Sequence, residues 1–280
     1  MSTIDFLWNT VESINRVMQE IFGLLMTSPQ DFKGGAVWST MVAINNALQP
    51  VGSALFVIFF LLGAMRSISS AADARRPETI FKMFIRFILT KTLITHGLEI
   101  LLTIIAVAQQ LIGTVIGYAT VNVTYAVPPE VIEAAEHSGF FGGILVWIVA
   151  LLVSIVAIVL CVMMIMTVYG RFFKLYMFIA VSPIPCAFAG GVSTQGTTVQ
   201  FFKEFGAVCL QGLVVVFAFI IFATLSSSGA FFTFGILGDN PSPATYVLSY
   251  GVQLAFQLLL LNTMVKGSDY LVKRITGLGA

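Results

Sequence analysis

Catalysis needs a nucleophile, a base or a metal cage at a workable spacing, and few residues of this chain qualify. Its two histidines, His96 and His137, lie outside any HExxH pattern. Cys161, Cys186 and Cys209 sit in apolar segments without metal-type spacing and read as small packing residues. Neither a GxxxxGK[ST] phosphate loop nor a GxSxG turn is present. The expectation is a non-enzymatic chain without cofactor or metal.

The polar residues that stand out are instead spaced for membrane or partner contacts. Lys82 and Arg86 are one helical turn apart, and with Arg75 and Arg76 they form a basic patch. That patch suits lipid head groups or a docking partner. Lys91, Thr95 and Glu99 follow at steps of four, with His96 beside them. Charges so near an apolar run either snorkel to the interface or line a polar vestibule in an oligomer. Gly113 and Gly117 form a GxxxG step for close helix approach, and Gln253 and Gln257 share one face of a later apolar run.

These residues must be positioned by membrane helices. The 280 residues are 58% hydrophobic and 10% charged, against about 25% charged in soluble domains. The fold class is therefore all-α and polytopic. A helix needs about 20 apolar residues to cross the ~30 Å hydrocarbon core. Five spans meet that length, near residues 43–65, 98–118, 144–169, 205–225 and 244–265. The segment from Glu78 to Tyr118 reads as one long helix, or as a cytoplasmic helix feeding a span.

Residues 1–35 form a separate amphipathic unit, with 36–280 as the transmembrane domain. Ile4, Leu7, Val11, Ile14, Met18, Ile21 and Leu25 recur at steps of three and four, and Asp5, Asn9, Glu12, Arg16, Gln19 and Glu20 lie opposite. Such a helix either rests externally on the bilayer or makes an oligomer or partner contact.

Charge placement orients the chain. Six of the 14 basic residues fall between Arg66 and Lys91, and others flank 171–203 or follow the last span. Connections 119–143 and 226–243 have none, and the second is rich in phenylalanine. The positive-inside rule puts the basic stretches in the cytoplasm, with the N-terminus outside and the C-terminus inside. Both ends of 171–204 then share one side. Ser182-Pro183-Ile184-Pro185 should break the helix, so that 175–192 enters the membrane and returns.

The sequence Tyr169-Gly170-Arg171 leads into Ala180-Val181-Ser182-Pro183-Ile184-Pro185, then Ser193-Thr194-Gln195-Gly196 and Phe201-Phe202-Lys203. With Trp38 entering the first span and the basic first loop, this layout resembles the TrbL-like polytopic subunits of conjugative type IV secretion systems. The resemblance implies an inner-membrane component present in several copies, with five spans, serving transfer of DNA or protein. Implied partners are other secretion-system membrane subunits, cytoplasmic ATPases, phospholipid, and transferred DNA or nucleoprotein. Some members carry a large central external domain, whereas 119–143 is short here. The expected function is a multi-copy scaffold or channel subunit. The alternative is a small secondary transporter or ion channel, which would usually carry a matched pair of broken helices.

Overall fold

The computed structural model describes residues 3–67, 77–118, 125–136, 140–227 and 243–278. Arg75, Arg76, His137 and most of the phenylalanine-rich connection 226–243 lie outside them.

The described residues are helical, with no strand among them. The helices are α1 (Thr3–Met26), α2 (Ala36–Ser67), α3 (Pro77–Tyr118), α4 (Pro129–Glu136), α5 (Phe140–Val181), α6 (Pro183–Ala187), α7 (Gln195–Ser227) and α8 (Pro243–Ile275). Five of them, α2, α3, α5, α7 and α8, are long and apolar enough to cross a membrane. The expected five-span, all-α architecture is therefore the one observed.

The helices outrun the predicted spans. α3 and α5 have 42 residues each, about 63 Å at 1.5 Å per residue and twice the hydrocarbon thickness. Charge marks where lipid should end, but it does not end a helix. Lys174 on α5 reaches Asp269 on α8 at 3.0 Å, and Lys273 meets the same carboxylate at 2.9 Å. Paired in this way, the charged turns remain helical beyond the apolar runs.

The chain divides into two compact units. One comprises Met1–Met26, Ile112–Tyr169 and Leu213–Ser268, and the other Thr27–Leu111, Gly170–Gly212 and Asp269–Ala280. By sequence, the first holds two basic and seven acidic residues, net −5. The second holds twelve basic and six acidic residues, net +6.

In the first unit α1 buries the predicted stripe, with Val11, Ile14, Met18, Ile21 and Leu25 all at most 6% exposed. Asn9, Glu12, Arg16, Gln19 and Glu20 stay exposed. The helix does not stand apart from the bundle. Thr10 and Ser154 share a buried 2.6 Å hydrogen bond, Tyr169 donates to Glu20 at 3.4 Å, and Phe22 packs on Phe219. Val11 joins Val127, Val131, Val146, Ala150 and Val247 in one core. Asn15 pins the chain before α4 by accepting from the Tyr125 amide and donating to its carbonyl, at 2.8 and 2.9 Å.

In the second unit the main core joins Leu101, Ile105 and Ala108 of α3 with Leu175 and Ile179 of α5 and Phe201, Phe205 and Val208 of α7. The entry to α2 is a tight turn in which Lys33, Gly34 and Gly35 all have positive φ. Tyr176 donates to Pro29 O at 2.8 Å, and Phe32 stacks on Phe172, fixing that turn to α5.

Candidate functional site

The proline segment behaves differently from the sequence expectation. Ser182 keeps α-helical angles (φ −54, ψ −31), and α6 continues at once through Pro183–Ala187. The prolines remove hydrogen bonds without turning the chain. The reversal comes later, where Gly191 becomes extended (φ −96, ψ 140) and the turn Gly191–Gln195 closes through Gln195 N to Gly191 O at 3.1 Å. α7 then returns antiparallel, with Thr198 opposite Pro185 and Phe201 opposite Phe178. Ser182, Pro183 and Pro185 thus stand at the boundary between α5 and α6, and Gly190–Thr194 reverses the chain. Residues 175–181 belong to α5 itself rather than to a separate half-helix. The physical reason is that proline tolerates helical φ, so its cost lies in the missing donor.

That missing donor is replaced from another helix. In an unbroken helix the amide of residue 183 would bond to Ile179 O. Pro183 has no N–H, and Asn45 of α2 supplies one, its Nδ2 lying 2.7 Å from Ile179 O and 2.8 Å from Ser182 Oγ. Asn45 is 1% exposed and Ser182 is also 1% exposed. Thr198 Oγ1 donates to Pro185 O at 2.7 Å, tying α7 to the proline segment. A freed carbonyl within a membrane must be served by protein or water, and for Ile179 O protein serves it.

α2 is shaped for this contact. Asn45, Gly52, Phe56, Phe59 and Gly63 follow at steps of seven, four, three and four, so they share one face. A Cβ at Gly52 would lie 2.6 Å from Pro183 O, and one at Gly190 would lie 2.7 Å from the Phe56 ring. Phe59 packs on Phe188 with centroids 4.6 Å apart. The opposite face of α2 leaves Val51, Ile58, Leu61 and Met65 exposed, as expected of a helix with lipid on one side.

Sequence reading missed this cradle. Asn45, Gly52 and Gly63 were legible as polar or small interruptions in an apolar run, but their shared face gains meaning only opposite the prolines. The glycine expectation also shifts. Gly113 and Gly117 are exposed, and a Cβ on either meets nothing within 4 Å, so among the described residues they bring no helices together. Gly251 does so instead, because its Cβ would lie 2.6 Å from Val153 Cγ2. Gln253 and Gln257 are half-buried on α8.

The polar residues of α3 lie together on its surface. His96 Nδ1 is 3.1 Å from Glu99 Oε2, with the side chains 53% and 75% exposed. Lys91 Nζ reaches Ser53 Oγ of α2 at 3.5 Å rather than pairing with Glu99. Lys91, Thr92, Thr95, His96, Glu99, Thr103, Ala106 and Gln110 are all exposed and fall on one side of the helix. This face rises about 28 Å, close to the hydrocarbon thickness. Lys82 is exposed and Arg86 partly so, with Arg86 donating to Gln195 Oε1 at 3.5 Å.

Arg171 is an unpredicted feature. It is 5% exposed, and its Nε and Nη1 have no hydrogen-bond partner among the described residues. Its guanidinium lies 5.2 Å from the Phe172 ring centroid. The described residues hold no cluster of three His, Cys, Asp or Glu suited to a metal.

Five long apolar helices, one of them notched by paired prolines and repaired by a buried amide, define a polytopic α-helical membrane protein. The chain belongs to the family described as TrbL/VirB6 plasmid conjugal transfer like protein, whose model matches residues 14–183. That stretch runs from within α1 to Pro183 and includes Asn45. No curated protein and no solved structure matches the sequence.

Proposed function

We propose that this protein is a multi-copy membrane scaffold or channel subunit of a conjugation-type secretion apparatus, supporting transfer of DNA or protein substrate across the cell membrane. Family membership supports the conjugal role. The multi-copy reading is carried by one observation, the exposed polar face from Lys91 to Gln110 on α3. Its helix is long and apolar enough to span a membrane, yet the Glu99 side chain is 75% exposed. At the bilayer centre an acidic side chain costs about 2.5–3.5 kcal/mol against lipid, and part of that cost applies at residue 99, at the end of the predicted span 98–118. A neighbouring copy or a water-filled lumen removes that cost.

In this reading the basic stretches face the cytoplasm and the connections 119–143 and 226–243, which carry no Lys or Arg, lie outside, which puts the N-terminus outside and the C-terminus inside. Other secretion-system membrane subunits surround the chain. With no phosphate-binding loop in the sequence, energy comes from partner ATPases, met together with the transferred nucleoprotein at the basic side.

The test is cysteine labelling of membrane-reconstituted protein. Positions 95, 99 and 103 should react with a charged, membrane-impermeant thiol reagent or cross-link between copies. Positions 104 and 111, on the apolar side, should stay unlabelled. A stable monomer, unlabelled at the first set, defeats the multi-copy reading. If that monomer also moves a solute, the transporter alternative takes its place.

A further inference from the structure

A cleft of about 600 Å³ opens between the first half of α3 and the start of α7. Its floor is apolar, made by Ile85, Leu89 and Leu93 of α3 with Val199 of α7. Lys82, Arg86 and Gln195 stand on its rim, and among the described residues no acidic one lines it. Lys82 and Arg86 are one turn apart, close enough for both to reach one phosphate group. The bond from Arg86 Nη2 to Gln195 Oε1 holds the guanidinium at this rim. Thr198 also lines the cleft, but its hydroxyl is committed to Pro185 O.

The surroundings indicate what kind of molecule fits. Phe81, Phe84 and Ile88 of α3 are 64%, 60% and 47% exposed, an apolar belt suited to hydrocarbon. A small soluble anion would match the rim and leave the floor wet. A plain hydrocarbon would cover the floor and leave two cations unmatched. An amphiphile with an anionic head satisfies both. From Lys82 to Leu93 the helix rises about 16 Å, enough for much of an acyl chain.

We propose that this cleft binds an anionic phospholipid, with its phosphate between Lys82 and Arg86 and an acyl chain along Ile85, Leu89, Leu93 and Val199. The site selects against zwitterionic lipid because an ammonium head group would be repelled by the same two cations. The lipid would fasten the first half of α3 to the turn that follows the prolines. This inference is independent of the secretion role, because it concerns the isolated chain.

The experiment reads lipids retained by the full-length protein in native mass spectrometry, after extraction from nanodiscs of phosphatidylethanolamine and phosphatidylglycerol in equal amounts. Phosphatidylglycerol should be retained preferentially. Lys82→Gln with Arg86→Gln should lower its retention by about 30-fold, the effect of two charges at a membrane surface. Arg274→Gln, an exposed change outside the cleft, should leave it unaltered. Val199→Trp fills the floor and should reduce retention with both cations intact. Equal retention of the two lipids by the unmodified chain overturns the proposal and needs no variant to fold. So does undiminished retention in the double variant, or displacement of the lipid by inorganic phosphate alone, which would make the cleft a soluble-anion site.

Discussion

Replacing Asn45 with leucine tests how the proline notch is held. The substitution preserves approximate size but removes the donor 2.7 Å from Ile179 O and 2.8 Å from Ser182 Oγ. What remains for that carbonyl is the Ser182 amide at 3.5 Å, a weak contact. A buried acceptor left without a partner costs about 1–3 kcal/mol, while interhelical side-chain bonds in membranes average about 0.6 kcal/mol. Two lost bonds place Asn45→Leu at about 2 kcal/mol of destabilisation. The decisive comparison is a double-mutant cycle. Pro183→Ala restores a backbone N–H on a segment that already has helical angles, and that N–H can bond Ile179 O itself. In this background Asn45→Leu should cost only about 1 kcal/mol, a coupling of about 1 kcal/mol between residues 138 apart. The assay is equilibrium unfolding of the full chain in mild detergent, followed by helical circular dichroism. Additive effects within about 0.4 kcal/mol would show that the amide does not stand in for the donor Pro183 lacks, and the reasoning would fail.

Other expectations follow from the same contacts. Gly52→Ala should destabilise by about 1–3 kcal/mol in the same assay, because its Cβ would press on Pro183 O, a backbone atom that cannot swing aside. Tyr125 has a buried hydroxyl without a hydrogen-bond partner among the described residues, so Tyr125→Phe should be neutral or stabilising by about 1 kcal/mol. Burial also raises the phenol of Tyr125 well above its ordinary 10.0. The unfolded chain therefore ionises first, and stability present below pH 10 falls as pH rises beyond it. Tyr125→Phe should lessen that fall when unfolding is measured across pH 9–11. Asp269→Asn should cost under about 1 kcal/mol, since Lys174 and Lys273 are 40% and 50% exposed, and the difference should shrink in high salt.

Local spacing determined much of this protein. The steps from Val11 to Leu25 fixed which side of α1 is buried, because helical period alone sets that face. The apolar run lengths gave five spans, and the continuity of Glu78 to Tyr118 announced a helix longer than the bilayer is thick. Family membership was also legible, through the order of spans, basic loop and proline segment.

The tertiary structure decided which interruptions matter. Proline signals a missing donor wherever it occurs, yet nothing local says whether the chain turns there or who fills the vacancy. Asn45 does so across 134 residues to Ile179, and the turn waits for Gly191. Gly251 packs against Val153, while a Cβ at the more conspicuous Gly113 or Gly117 would meet nothing within 4 Å among the described residues. Helical period is written within four residues, whereas hydrogen-bond replacement and close helix approach depend on partners that only folding brings together.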